Sequence, residues 1–179
     1  MKYLIASDLH GSRVCIEKLL AAFEREGANL LVLLGDLYYH GPRNPLPDGY
    51  DPKGVAALLN GMADRLVVLK GNCDAEVDEM ISDFDFAEDM VITAGGKCLF
   101  LTHGHKFNKD NPPKTKYAAV VYGHFHTGFI ERKDGCVYAN AGSVSLPKNG
   151  TPQSYLTLKD DGTLTLKTLE GETICSVQM

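Results

Sequence analysis

Five short segments of this chain concentrate its chemistry: Asp8-Leu9-His10-Gly11, Gly35-Asp36, Gly71-Asn72-Cys73-Asp74, Thr102-His103-Gly104-His105 and Gly123-His124-Phe125-His126. Together they hold three Asp, one Asn and five of the six His. Each follows an apolar run that reads as a strand, so the donors sit at strand ends. Oxygen and imidazole donors delivered from several separate strand ends are what a pair of catalytic metal ions requires. The chain therefore reads first as a two-metal hydrolase.

Singly, each segment has a plainer reading. Asp8 and His10 are two apart, so strand alternation would project both the same way, yet a strand-end Asp also commonly caps a helix. Asp36 after residues 30–34 could merely turn the chain. His124 and His126 would share one side of a strand end with Phe125 opposite, and the bland version is surface histidines in a turn. Five such strand ends in one chain are hard to explain structurally, and the joint pattern favours metal. Asp, Asn and His without Cys select borderline-hard divalent ions such as Mn, Fe, Zn, Co or Ni over a thiolate zinc site. Paired catalytic ions lie roughly 3.5–4 Å apart. One carboxylate must then bridge them, and a shared water or hydroxide becomes the nucleophile.

The elements that must position these residues follow from hydrophobic pattern. Residues 3–6 are expected as a buried strand. Ser12 can cap a helix in which Val14, Ile16, Leu19, Leu20 and Phe23 recur at near-helical spacing, and Gly27 ends it. Residues 30–34 predict a second buried strand, 51–64 a helix with Val55, Leu58, Leu59 and Met62 on one face, and 66–69 a third strand. This β-α-β-α-β order predicts a parallel core. Beyond it, 90–93 with 97–102, 129–132 with 136–138, and 154–158 with 163–169 read as hairpins, and 118–122 as a further strand. The expected fold is α/β: two packed mixed β-sheets with helices outside, antiparallel strands dominating the second half. Residues 38–52, with four prolines, form a long loop leaving Gly35-Asp36 and expected to overhang the site. Residues 107–116 read as a second loop or short helix.

With 179 residues the chain suits one domain, 1–179, able to bury about two-thirds of its unfolded surface. Hydrophobic residues make up 44%, and the net charge is −5, an ordinary soluble balance without a basic patch for nucleic acid. The five widely spaced cysteines form no disulfide pattern and point to a reducing compartment. The N-terminal apolar run breaks at Ser7-Asp8, too short for a signal region or a membrane span. A cytoplasmic location is expected, and apolar residues on the C-terminal strands leave a homo-oligomer open.

In order, DxH, GD, GNxD, GH and GHxH across residues 8–126 resemble the signature of the calcineurin-like metallophosphoesterases. The match is closer still to small YfcE-type phosphodiesterases of bacteria and archaea. It extends to Asn44 with its Gly-Pro-Arg neighbours and to Asn140-Ala141-Gly142-Ser143-Val144. The resemblance implies a four-layer αββα sandwich with two divalent ions, Mn²⁺ first and Zn²⁺, Fe²⁺, Co²⁺ or Ni²⁺ as options. It places Asp8, His10, Asp36 and His126 on one metal, Asp36 bridging, and Asn72, His103 and His124 on the other. It makes Asp74 a support that holds His10 or another imidazole by a hydrogen bond. Arg43 and Asn44 could contact the substrate phosphate, although an exposed loop Arg is commoner. Ser143 is expected to support a turn near the site rather than act as a nucleophile.

Cys73 departs from the resemblance. Many members carry histidine there, resembling a general acid worth roughly 10²–10⁴-fold. Either the enzyme depends on good leaving groups, or another residue gives the proton. His40 and His105 are the candidates, with surface positions as the alternative for both. The expected function is a metal-dependent phosphodiesterase acting on a small phosphodiester by attack of a metal-bridging hydroxide. Asp36, Asn72, Cys73, Asp74 and His103 are its expected catalytic set. A phosphomonoesterase with the same metals is the alternative. A scaffold similar to a retromer sorting subunit is a third reading, weakened because none of the presumed ligands is missing.

Overall fold

The computed structural model describes residues 1–179. Its elements run β1 (Lys2–Ala6), α1 (Arg13–Glu26), β2 (Leu30–Leu33), α2 (Pro52–Asn60), β3 (Leu66–Leu69), α3 (Glu76–Met80) and β4 (Phe86–Ala87). They continue with β5 (Asp89–Ala94), β6 (Lys97–Thr102), β7 (Ala119–Tyr122), β8 (Phe129–Lys133), β9 (Cys136–Asn140), β10 (Ser154–Lys159), β11 (Thr163–Thr168) and β12 (Thr173–Gln178). Local chemistry sets several boundaries. Ser12 caps α1 by accepting the Cys15 N–H at 3.3 Å, and Gly27 ends it at φ 58°. Asp51 caps α2, with Pro52 in the first turn. That helix stops at Asn60, shorter than expected, and Ala63–Arg65 forms a 3₁₀ turn.

The strands form two mixed sheets. One has seven strands in the order β12-β11-β10-β1-β2-β3-β4, and the other five in the order β5-β6-β7-β9-β8. Strands β1 to β4 pair in parallel, as their buried runs require. The expected antiparallel dominance of the second half does not hold at the centre of the second sheet, where β7 is parallel to both β6 and β9. The carboxyl ends of β1, β2, β3, β6 and β7 all lead into donor segments.

Alternation divides the buried strands between two cores. Ile5 and Val32 join Leu101, Val121 and Ala139 between the sheets. Leu4, Ala6, Leu31 and Leu33 face outward against Ile16, Leu19 and Phe23 of α1 and Val55 and Leu59 of α2. The outer face of the five-stranded sheet is covered differently. Phe100, Val120, Tyr122 and Tyr138 lie under Phe107 and Tyr117, which come from the helix-free segment 103–118. The helices thus flank the seven-stranded sheet, and the fourth layer is irregular chain.

Glu26, at the end of α1, ties that helix to three adjacent strands, β1, β10 and β11. It accepts from Lys2 Nζ and Lys167 Nζ at 2.6 Å and from Tyr155 Oη at 3.0 Å. Burial alone would raise its carboxyl, but Lys167, Lys2 and Tyr155 outweigh burial and hold it down at about 2. Stability from this group is therefore present above the ordinary value of 4.5 and is lost as pH falls toward 2. Glu26→Gln should cost about 2 kcal/mol at pH 7. Denaturant unfolding should show the gap from the unmodified protein narrowing below pH 4.5; a gap constant down to pH 2.5 contradicts this account.

Candidate metal centre

The donor segments do not continue their strands. Asp8, His10, Asp36, His124 and His126 all have positive φ, between 47° and 64°, and only two other non-glycine residues share this. Left-handed backbone costs such residues about 1–2 kcal/mol each. It also turns each strand end sharply toward one place. Pairing between chain segments persists through the bends: Asp8 N–H donates to Gly35 O at 3.1 Å, His10 N–H to Asp36 O at 3.0 Å, and Gly123 N–H to His103 O at 2.8 Å. Side chains two apart therefore converge through turn geometry, not strand alternation. Phe125, expected to face away from its histidines, instead lines the same cleft.

Three imidazoles are fixed from behind. The Nδ1 atoms of His10, His103 and His126 lie 2.7–2.8 Å from the carbonyls of Tyr39, Leu34 and Leu146. A carbonyl only accepts, so each Nδ1 carries the proton and each Nε2 presents a lone pair inward. His10 Nε2 and His126 Nε2 then face each other at 3.1 Å. Asp8 Oδ1 is fully buried, has no hydrogen-bond donor, and lies 3.2 Å from His126 Nε2. A proton or a metal ion placed among them relieves that opposition. The donor set therefore fits a divalent metal.

Asp36 reaches across the centre. Its Oδ2 is 3.7 Å from His10 Nε2 and its Oδ1 is 3.5 Å from His103 Nε2. On the far side Asn72 Oδ1 lies 3.0 Å from His103 Nε2, and the His124 ring is 5.1 Å from that of His103. Potential ligand atoms of Asp8, His10 and His126 fall within 4.8 Å of one another, as do those of Asp8, Asp36 and His103. Without a metal, protons compete for the same atoms. Burial opposes ionisation of Asp8, but His10 and His126 hold its carboxyl well below the usual range. Burial likewise opposes charge on His10, yet Asp8 and Asp36 raise its pKa. His124 is pushed down to about 4 by burial and His103, so at neutral pH it offers a free imidazole.

Asp74 does not hold an imidazole, contrary to expectation. It is buried under the loops, and its oxygens accept the N–H groups of Asp36, Leu37 and Gly71 at 2.7–2.8 Å. These three bonds clamp the turn that presents Asp36. Cys73 donates its N–H to Asp36 Oδ1 at 2.8 Å. Burial, then the charges of Asp36, Asp74 and Asp8, push its thiol up to about 12, so it stays protonated and inert as a nucleophile.

A cleft of about 780 Å³ opens over the donors, lined by Arg43 and Asn44 across from Asn72, Cys73 and His124. Loop 38–52 overhangs it as expected. Asn44 Nδ2 donates to His40 O at 2.9 Å, which braces the loop. His40 itself is wedged edge-on between Tyr39 and Tyr50 and does not line the cleft. His105 is exposed, its ring 5.4 Å from that of His103, outside the donor ring. Ser143 has the expected supporting place: its Oγ and that of Ser145 donate to Asp8 O at 2.7 and 3.0 Å. Tyr39 and Lys148 also line the cleft. Sequence reasoning missed both, because nothing distinguishes a loop Tyr or Lys until the chain is folded.

A model of the calcineurin-like phosphoesterase superfamily domain matches residues 1–162. The chain belongs to that superfamily. Among curated calcineurin-like relatives, the phosphodiesterase YfcE of Escherichia coli K12 is 44% identical over 163 residues, spanning 90% of this chain and 89% of the relative. The solved structure of YfcE, a phosphoesterase from E. coli, superposes with a TM-score of 0.94 at 41% identity, covering 99% of both chains. Vps29 from Cryptosporidium parvum shares the fold at a TM-score of 0.66 and 16% identity, covering 99% and 98% of the two chains.

One glycine shows how closely this calcineurin-like phosphoesterase packs around Asp36. A Cβ on Gly71 would land on the Asp36 carboxylate and on the Asp36 backbone nitrogen. Gly71→Ala should weaken divalent-metal binding by about 10–100-fold, the usual loss when a ligand's support is displaced. Far-UV circular dichroism should stay unchanged. Metal affinity within twofold of the original would show that Asp36 is not positioned this way.

Proposed function

We propose that this protein hydrolyses a small phosphodiester with the help of two divalent ions, Mn²⁺ first among them. The observation that carries this reading is Asp36, whose two oxygens face separate imidazoles, His10 and His103. Asp8, His10, Asp36 and His126 would hold one ion. Asp36, Asn72, His103 and His124 would hold the other. When bound, such a pair supplies an activated water oxygen and offsets charge developing on the phosphoryl group.

The remaining work falls to the chain itself. The Nδ1 anchors aim the Nε2 atoms of three imidazoles inward, and Asp74 keeps Asp36 aimed through the backbone it clamps. Arg43 and Asn44 bind the phosphate oxygens from the overhanging loop, a role that guanidinium and amide donors suit. Lys148 adds positive charge at the rim. At the leaving-group side stands Cys73, a thiol where a general acid would be an imidazole, so turnover depends on a leaving oxygen that needs little protonation. The 44% identity to a phosphodiesterase over 90% of the chain supports the diester assignment. The whole chain acts as one domain in the cytoplasm. No helix is long and apolar enough to cross a membrane.

Asp36→Ala and His124→Ala should each lower Mn²⁺-dependent hydrolysis of bis(p-nitrophenyl) phosphate by about 10³-fold or more. Full activity in either variant refutes the mechanism. Cys73→His should raise turnover of p-nitrophenyl phosphate, a monoester, by about tenfold or more. Unchanged or slower monoester turnover would remove Cys73 as the determinant of diester preference.

A further inference from the structure

A second cavity, of about 310 Å³, opens beside the metal cleft and shares Tyr39, Cys73 and Ala75 with it. Its other walls are mostly apolar: Tyr38, Tyr50, Pro52 and Val77. Its volume is at the lower end for small-ligand pockets. The shared wall is chemically significant, because the Cys73 N–H rests on Asp36 Oδ1. A group in this cavity would therefore sit one residue from the Asp36 carboxylate.

We propose that this tyrosine-walled cavity receives a planar aromatic ring carried by the leaving group of the phosphodiester. The inference rests on the phosphodiesterase reading given above. Three features select this occupant. The walls offer ring faces and edges, which favour a flat π-system. No cationic residue lines the cavity, and the charged one that does, Asp78, would repel a second phosphate. The Asp78 carboxylate is already engaged, accepting the Ala75 N–H at 2.8 Å, so it is not a bare acceptor seeking a cation. The tyrosines are also held in place. His40 stands edge-on to Tyr39 at 4.7 Å and to Tyr50 at 5.4 Å between centroids, propping both rings before any ligand arrives. An aryl oxygen leaves with little need of a proton, which agrees with a thiol rather than an imidazole at position 73.

The test compares inhibitors of the Mn²⁺-loaded enzyme turning over bis(p-nitrophenyl) phosphate. The probes are the phenyl and methyl monoesters of methylphosphonic acid, thymidine 5′-methylphosphonate and inorganic phosphate. The phenyl ester should inhibit at least tenfold more tightly than the methyl ester. Tyr39→Ala and Val77→Asp should each cut that ratio at least fivefold, whereas Tyr39→Phe preserves it. Both altered residues are exposed, at 42% and 61%, so neither change threatens the fold. Inhibition by phosphate should not move in Val77→Asp, which does not line the metal cleft. If the thymidine ester gains more than the phenyl ester, the ring is a nucleobase one sugar away; if less, it is joined directly to the leaving oxygen. Either gain supports the proposal when Tyr39→Ala removes it. A phenyl-to-methyl ratio near one, or a ratio unmoved by Tyr39→Ala and Val77→Asp, overturns it. If the unmodified protein shows neither diester turnover nor phosphate inhibition, the phosphodiesterase reading itself fails and the subsite falls with it.

Discussion

Two imidazole nitrogens facing each other at 3.1 Å beside a buried, undonated carboxylate oxygen define the physical problem of this protein. With no proton or metal among them, such lone pairs and charge in a low-dielectric interior repel and lack solvent to relieve them. A positive ion converts every one of those repulsions into attraction. The scaffold must hold the donors in their unfavourable arrangement beforehand. It does so with backbone carbonyls behind three histidines, backbone amides around Asp74, and serine hydroxyls on the Asp8 carbonyl.

The two-sheet architecture makes this possible. Parallel strands at the centre of each sheet end on the same edge, so donors from β1, β2 and β3 meet donors from β6 and β7 without any long connection crossing the site. Open α/β sheets place ligands outside the carboxyl ends of strands. Here two sheets do so together. The left-handed conformations at Asp8, Asp36, His124 and His126 are the cost, several kcal/mol in sum, and they persist because the cores on both faces of β1 and β2 are closed-packed around them.

Much of this was legible in the sequence because it depends on residue type and period. Apolar runs announced β1, β2, β3, β6 and β7, and Ser12 and Gly27 marked the ends of α1. Donor identity and order carried the site. What stayed hidden depends on backbone conformation and on contacts between distant segments. Alternation put Phe125 on the wrong side, because His124 and His126 lie in a turn and not in a strand. Asp74 looked like a partner for an imidazole, but its three backbone donors come from residues brought together only by folding. The parallel pairing of β7 was hidden behind two hairpins whose turn signals suggested an antiparallel sheet. Neither β4 nor β12 has a buried run to announce it, and α3 spans only five residues.

The Tyr39 carbonyl that accepts from His10 Nδ1 belongs to the same loop that carries Arg43 and Asn44. One hydrogen bond therefore joins a metal-facing imidazole to the substrate-facing loop. Whatever steadies His10 steadies that carbonyl, and with it the segment bearing Arg43 and Asn44. Linkage makes the effect mutual: a ligand that orders the loop must tighten the grip on the cation to the same degree that the cation tightens the grip on the ligand. A cation held at His10 and a ligand held by this loop would then act as cooperative effectors of each other.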